Sequence, residues 1–195
     1  EIDFEIEEKF KDGVELLNQG IPLQYITNNQ EFMKLDFYVD SNVLIPQPDT
    51  EILVEEVLKS VTGNENILDL CTGSGCIAIT LKQERPSINI DAIDLSKDAL
   101  VVAKENSKLN NTNINFINND LLNNIDIKFD IIVSNPPYIK RDDINYLSQE
   151  VKKEPELALD GGIDGLDFYR KITKQAMDYL KFGSNLCYEI GYDPK

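Results

Sequence analysis

Apolar positions along this chain change their spacing near residue 66. Before that point they read as helix and hairpin. Phe10, Val14 and Leu17 fall at helical spacing within residues 9–20, and Gly20 follows as a C′ residue. Two short alternating stretches, 31–34 and 36–40, predict a hairpin. Pro46 and Pro48 then break the chain ahead of a helix capped by Asp49 or Thr50 and carrying Ile52, Leu53, Val57 and Leu58. From Asn66 onward, short apolar runs alternate with helical patterns. Strands are expected at 66–71, 88–95, 114–118, 129–134 and 185–190, and helices at 76–83, 97–109 and 166–180. Strands separated by helices predict right-handed crossovers and an α/β fold, a parallel Rossmann-like sheet with helices on both faces. Ligands of such sheets lie at the carboxyl ends of the strands, where the strand order switches.

The unusual residues fall on that edge. Asp69-Leu70-Cys71-Thr72-Gly73-Ser74-Gly75 closes the first strand and opens a helix. Gly73 and Gly75 tolerate positive φ and let a ligand lie against backbone, and helix amides beyond them favour an anion or carboxylate. The third glycine of the dinucleotide fingerprint is absent and no Gly-Lys-Ser/Thr follows, which weakens the NAD and P-loop readings; a structural tight turn is the alternative. Asp94, about twenty residues on, ends the second strand, where a carboxylate can take both hydroxyls of a ribose. As an alternative it caps the following helix, a role Ser96 can fill. Asp120, after the third strand, either receives the exocyclic amine of adenine or caps a turn. Asn135-Pro136-Pro137-Tyr138 follows the strand 129–134. Its two prolines fix φ and remove two donors, so a stiff loop projects carbonyl acceptors; Asn135 adds a side-chain carbonyl and Tyr138 an aromatic face. The pattern suits a planar NH2 group.

Composition narrows the chemistry. The 195 residues hold 42% hydrophobic and 28% charged side chains, which excludes global disorder. No apolar run approaches the ~20 residues of a membrane span and no signal peptide is evident, so a soluble, cytoplasmic protein is expected, with no membrane partner. Histidine is absent, which removes serine-protease triads, HExxH zinc sites and imidazole catalysis. Cys71, Cys76 and Cys187 are odd in number and lack CxxC spacing, so no metal site is expected. With 19 basic and 35 acidic side chains the net charge is −16, which argues against stable nucleic-acid binding.

Together, the glycine loop, Asp94 and NPPY resemble a class I S-adenosylmethionine-dependent methyltransferase acting on a planar amino group. Three further stretches resemble the release-factor glutamine N5-methyltransferases: Gly20 to Ile26 with Glu31-Phe32; Leu44-Ile45-Pro46-Gln47-Pro48-Asp49-Thr50-Glu51, like their PRPDTE signature; and Asp160-Gly161-Gly162 with Gly165-Leu166, followed by Glu189-Ile190-Gly191. The likeness runs from about Gly13 to Tyr192. It implies S-adenosylmethionine as cofactor, S-adenosylhomocysteine as product, and class 1 peptide chain release factors as protein substrate. The cofactor residues implied are Cys71, Thr72, Gly73, Ser74, Gly75, Asp94, Leu95, Asp120, Leu121 and Asn135. Asn135, Pro136, Pro137 and Tyr138 would bind the substrate, with Asn135, Pro136 and Tyr138 catalytic. An N6-adenine or other base-amine methyltransferase of the same fold is the alternative. Residues 1–26 read as the remnant of an N-terminal helical domain, 27–48 as a hairpin linker and 49–195 as the methyltransferase domain of a monomer. Two departures stand out: Gln47 replaces the family's arginine, and the final strands of a seven-stranded sheet are missing. The chain, starting at Glu1 and stopping at Asp193-Pro194-Lys195, reads as a piece of something longer.

Overall fold

The computed structural model describes residues 4–191; residues 1–3 and the Tyr192-Asp193-Pro194-Lys195 end of the sequence lie outside it. The chain opens with α1 (Phe4–Asn18), which buries none of its side chains, and the short α2 (Leu23–Thr27). Gly20, at φ 78°, and Pro22 separate the two. The antiparallel hairpin of β1 (Gln30–Phe32) and β2 (Leu35–Phe37) follows. Its turn falls on Met33 and Lys34, both in the left-handed region, where the sequence pattern continues the first strand. Two contacts hold this unusual turn. Phe32 and Phe37 pack edge-to-face on the buried side at 6.0 Å, and the Met33 amide donates to Glu51 Oε1 at 2.7 Å.

Glu51 belongs to α3 (Pro48–Ser60). This helix starts earlier than an Asp49 or Thr50 cap requires: Gln47 is the N-cap residue, without a side-chain bond, and Pro48 takes the first helical position. Proline's fixed φ suits that position, and its missing N–H leaves no donor to cap. Neither expected cap acts as one.

The sheet is built from β3 (Asn66–Leu70), β4 (Asn89–Asp94), β5 (Asn115–Asn118), β6 (Phe129–Ser134) and β7 (Leu180–Tyr188), connected through α4 (Cys76–Glu84), α5 (Lys97–Leu109), α6 (Glu156–Leu159) and α7 (Asp167–Tyr179). All pairings are parallel, in the order β5-β4-β3-β6-β7. From central β3 the chain winds outward to β5, then returns across β3 to β6, so the switch in strand order lies at the carboxyl ends of β3 and β6. Ile67, Leu68, Asp69 and Leu70 are all buried, as expected for a strand covered on both faces. One face packs Ile67, Ile131 and Val133 against α3, α4 and the hairpin phenylalanines. The other packs Leu68, Leu70 and Ile132 against Ile172 and Ala176 of α7. β7 starts five residues before the expected strand and, among the described residues, pairs only with β6. Among the described residues, no helix is long and apolar enough to cross a membrane.

Candidate active site

A cavity of about 200 Å³ opens at the carboxyl ends of β3, β4 and β6. Its floor is the loop after β3. Cys71 (φ 59°), Gly73 (φ 54°) and Gly75 (φ 83°) all adopt left-handed backbone, which turns the chain sharply from strand into α4. The Thr72 amide donates to the Ile93 carbonyl at 3.0 Å, tying the loop to β4. A Cβ on Gly73 would meet no protein atom within 4 Å, so this residue faces open space, while one on Gly75 would press on Ile79 and Ala103. Gly73 thus serves the cavity, and Gly75 the contact between α4 and α5.

Asp94 stands at the end of β4. Its Oδ2 accepts from the Gly73 amide at 2.9 Å and its Oδ1 from the Ser96 amide at 2.8 Å. Burial raises its pKa, opposed by those amide bonds. Ser96 itself caps α5 through the Ala99 amide, so Asp94 is free of that duty. Asp69, fully buried below the loop, accepts from the Thr72 hydroxyl at 2.6 Å, while its Oδ1 meets no well-formed hydrogen-bond partner among the described residues. Burial also pushes the Cys71 thiol far up, with Asp94 adding to the effect, so the thiol stays neutral.

The loop is clasped from below by Asn106 of α5, wholly buried. Its Oδ1 accepts from the Tyr38 amide at 2.7 Å, and its Nδ2 donates to the Tyr38 and Ser74 carbonyls, both at 2.9 Å. One side chain therefore fixes the glycine loop to the segment after the hairpin. Residues 41–44 of that segment form one cavity wall, and Pro155, Leu157 and Ala158 with Phe168 form the facing one. Glu154 joins the walls by accepting from the Ile45 amide at 2.9 Å.

After β6 comes Asn135. Its Nδ2 donates to the Thr50 hydroxyl at 3.2 Å, and that hydroxyl donates to Glu189 Oε2 at 2.5 Å. Pro136 and Pro137 are buried, and Tyr138 is partly exposed with its hydroxyl 3.5 Å from Glu189 Oε1. The Tyr138 backbone is gripped by the segment after α6. A Cβ on Gly161 would lie 2.7 Å from Tyr138 Cα, and one on Gly165 would collide with the Tyr138 carbonyl oxygen, so both positions require glycine for close approach.

Of the residues expected from the sequence, Cys71, Gly73, Asp94, Leu95, Asp120, Leu121, Asn135 and Pro137 line the cavity. Thr72, Ser74, Gly75, Pro136 and Tyr138 do not: the first three support the loop from behind, and Tyr138 faces Glu189. The sequence reading did not place 41–44, Asn106, Thr50, Glu154, Phe168 or residues 155–158 in the site. Leu44 and Thr50 belong to the signature-like stretch but carried no expected ligand role, the others carry no local motif for a ligand, and long-range packing brings them in.

Methyltransferase is the class that this sheet and cavity define: residues 46–162 match the family model of the methyltransferase small domain. A methyltransferase structure from Pyrococcus furiosus shares the fold, with a TM-score of 0.63 at 20% identity over 94% of this chain and 80% of that one. At the level of sequence, the chain is 42% identical to the release factor glutamine methyltransferase of Clostridium acetobutylicum, over 98% of its own length and 71% of the relative's. The corresponding enzyme of Lactococcus lactis is 46% identical over 90% of this chain and 66% of that protein. The chain belongs to the release factor glutamine methyltransferase family.

Proposed function

We propose that this chain transfers a methyl group from S-adenosylmethionine to the side-chain amide nitrogen of the glutamine in the Gly-Gly-Gln motif of class 1 peptide chain release factors. The names of its relatives support the substrate. The observation that carries the chemistry is the state of Asn135: its NH2 is taken by Thr50, which leaves its carbonyl oxygen to accept from a planar NH2.

The cavity suits the cofactor. Gly73 offers bare backbone facing open space, Asp94 presents a carboxylate with lone pairs beyond its two amide bonds, and Leu95, Asp120 and Leu121 continue the wall. When bound, S-adenosylmethionine supplies an electrophilic methyl group, and the electron pair of the broken carbon–sulfur bond stays on sulfur, giving S-adenosylhomocysteine. An amide nitrogen is a poor nucleophile because its lone pair is delocalised into its own carbonyl. Asn135 Oδ1 and the Pro136 carbonyl would accept its two N–H groups and hold it in line. The same oxygens offset the positive charge that develops on nitrogen as the new bond forms. Tyr138, which faces Glu189 outside the cavity wall, would flank the glutamine side chain. No base need act first, since the proton leaves to water after transfer, and the absence of histidine is no obstacle.

The test is mass spectrometry of a class 1 release factor incubated with the enzyme and S-adenosylmethionine. A gain of one methyl group at the Gly-Gly-Gln glutamine, lost when that glutamine is alanine, is the expected result. Methylation of adenine oligonucleotides instead would overturn it.

A further inference from the structure

A carboxamide has two nearly isosteric orientations, and only one of them presents oxygen to a substrate NH2. Something must choose between them at Asn135. Glu189 is held beside it from two sides: its amide donates to the Ser134 carbonyl at 3.1 Å, and its carbonyl accepts from the Tyr169 hydroxyl at 2.8 Å. Its carboxylate takes a hydrogen bond from Asn135 directly and is also bridged to it by Thr50, a residue only 2% exposed, so water does not compete for the bridge.

Hydrogen counting then settles the direction of the chain. An ionised carboxylate can only accept, so the single Thr50 hydroxyl hydrogen points to Glu189. Toward Asn135 the hydroxyl has lone pairs alone. The facing group must be the NH2, because the opposite orientation would set oxygen against oxygen. We propose that Glu189, acting directly on the Asn135 NH2 and through the Thr50 hydroxyl, is a positioning residue that fixes the Asn135 carboxamide with its oxygen toward the substrate amide.

The logic predicts distinct behaviour for three substitutions. Thr50→Val keeps the shape but removes the bridge, Thr50→Ser restores it, and Glu189→Gln supplies a group that can donate or accept. In the Glu189→Gln variant the hydroxyl hydrogen can turn to Asn135, and both carboxamide orientations become available.

Two measurements test this, both at about pH 8, above the ordinary carboxylate range. The first needs no substrate. In ¹⁵N NMR, the Asn135 side-chain NH2 signals, assigned by their loss in Asn135→Asp, should be slow to exchange in the wild type and in Thr50→Ser. They should lose that protection in Thr50→Val and Glu189→Gln. The second rests on the proposed activity: kcat on a release factor should fall roughly 10- to 100-fold in Thr50→Val and Glu189→Gln and recover to within about threefold in Thr50→Ser. S-adenosylmethionine affinity should change little in any of them, which a general loss of structure would not allow. Unchanged NMR protection in Thr50→Val and Glu189→Gln overturns the positioning role whatever the substrate. A wild type that leaves the release factor unmodified overturns the proposed function instead, and the NMR result still decides the relay.

Discussion

Asp94 Oδ2 accepts the Gly73 amide at 2.9 Å, so the carboxylate that ends β4 also braces the glycine loop that ends β3. Both oxygens are engaged by backbone before any ligand arrives. Removing this side chain should therefore act twice, by deleting the acceptors proposed for a ribose and by loosening the loop. Asp94→Ala should weaken S-adenosylmethionine binding by about 1.5–3 kcal/mol, as for charge-assisted hydrogen bonds. Asp94→Asn, which keeps one acceptor oxygen, should lose less. Titration calorimetry showing wild-type affinity in the alanine variant would remove Asp94 from the cofactor site.

Asn135→Ala takes away the acceptor proposed to face the substrate. Methyl transfer should drop by about 10²–10³-fold, the scale seen when one preorganised polar partner of a transition state is lost. Affinity for the cofactor should fall far less, because its other contacts remain. Single-turnover rates close to wild type would sink the assignment.

Asp69 predicts a pH dependence of stability. Burial pushes its pKa up to about 7, against the Thr72 hydroxyl and Ala78 amide, which pull it down, and with Asp94 adding a smaller upward push. A folded state that keeps a proton the unfolded chain has released loses stability as pH rises. Here the window runs from about 4, the unfolded value, up to the folded value. In Asp69→Asn this contribution is absent. The stability of the wild type relative to the variant should thus decline steadily as pH is raised across the window, measured as the difference between urea-unfolding free energies. Parallel curves for the two proteins would show that Asp69 is already ionised in the fold.

Gly161 provides a steric prediction with its own control. An alanine Cβ there would fall 2.7 Å from Tyr138 Cα, 2.8 Å from its carbonyl carbon and 2.9 Å from Gly165 Cα, all backbone atoms that cannot swing aside. Gly161→Ala should cost about 1–3 kcal/mol, as overpacking does, and displace the loop that carries Asn135. Gly63→Ala, whose Cβ would meet nothing within 4 Å, should be close to neutral. Equal urea midpoints for the two variants would contradict the clamp.

How much of this could be read from the chain depends on the range of each interaction. The strands β3 and β6 were legible because Ile67 to Leu70 and Ile131 to Val133 are buried runs dominated by apolar side chains, the mark of cover on both faces. The glycine loop and the NPPY turn were legible because their backbone demands are local. The hairpin turn was not: Met33 and Lys34 are poor turn residues, and Glu51, eighteen positions from Met33, makes the turn possible. α2 is five residues long, too short to show a period. The cavity walls were hidden for the same reason as the turn, since Ile45 and Glu154 meet across 109 positions. Glu189 looked like one residue of a family signature. Its link to Asn135 runs in part through a threonine that the sequence pattern offered as a helix cap.

The bridge from Asn135 to Glu189 also sets an order of events in time. Thr50 and Asn135 are 85 positions apart, and Thr50 and Glu189 139. A chain made at ~5–20 residues per second exposes Thr50 on the order of ten seconds before Glu189. The glycine loop, Asp94 and their shared hydrogen bonds can all form in that interval, because they lie between β3 and the start of α5. The carboxamide cannot be oriented until β7 has been added and docked. A growing chain would gain the means to hold a cofactor first and the means to use it last.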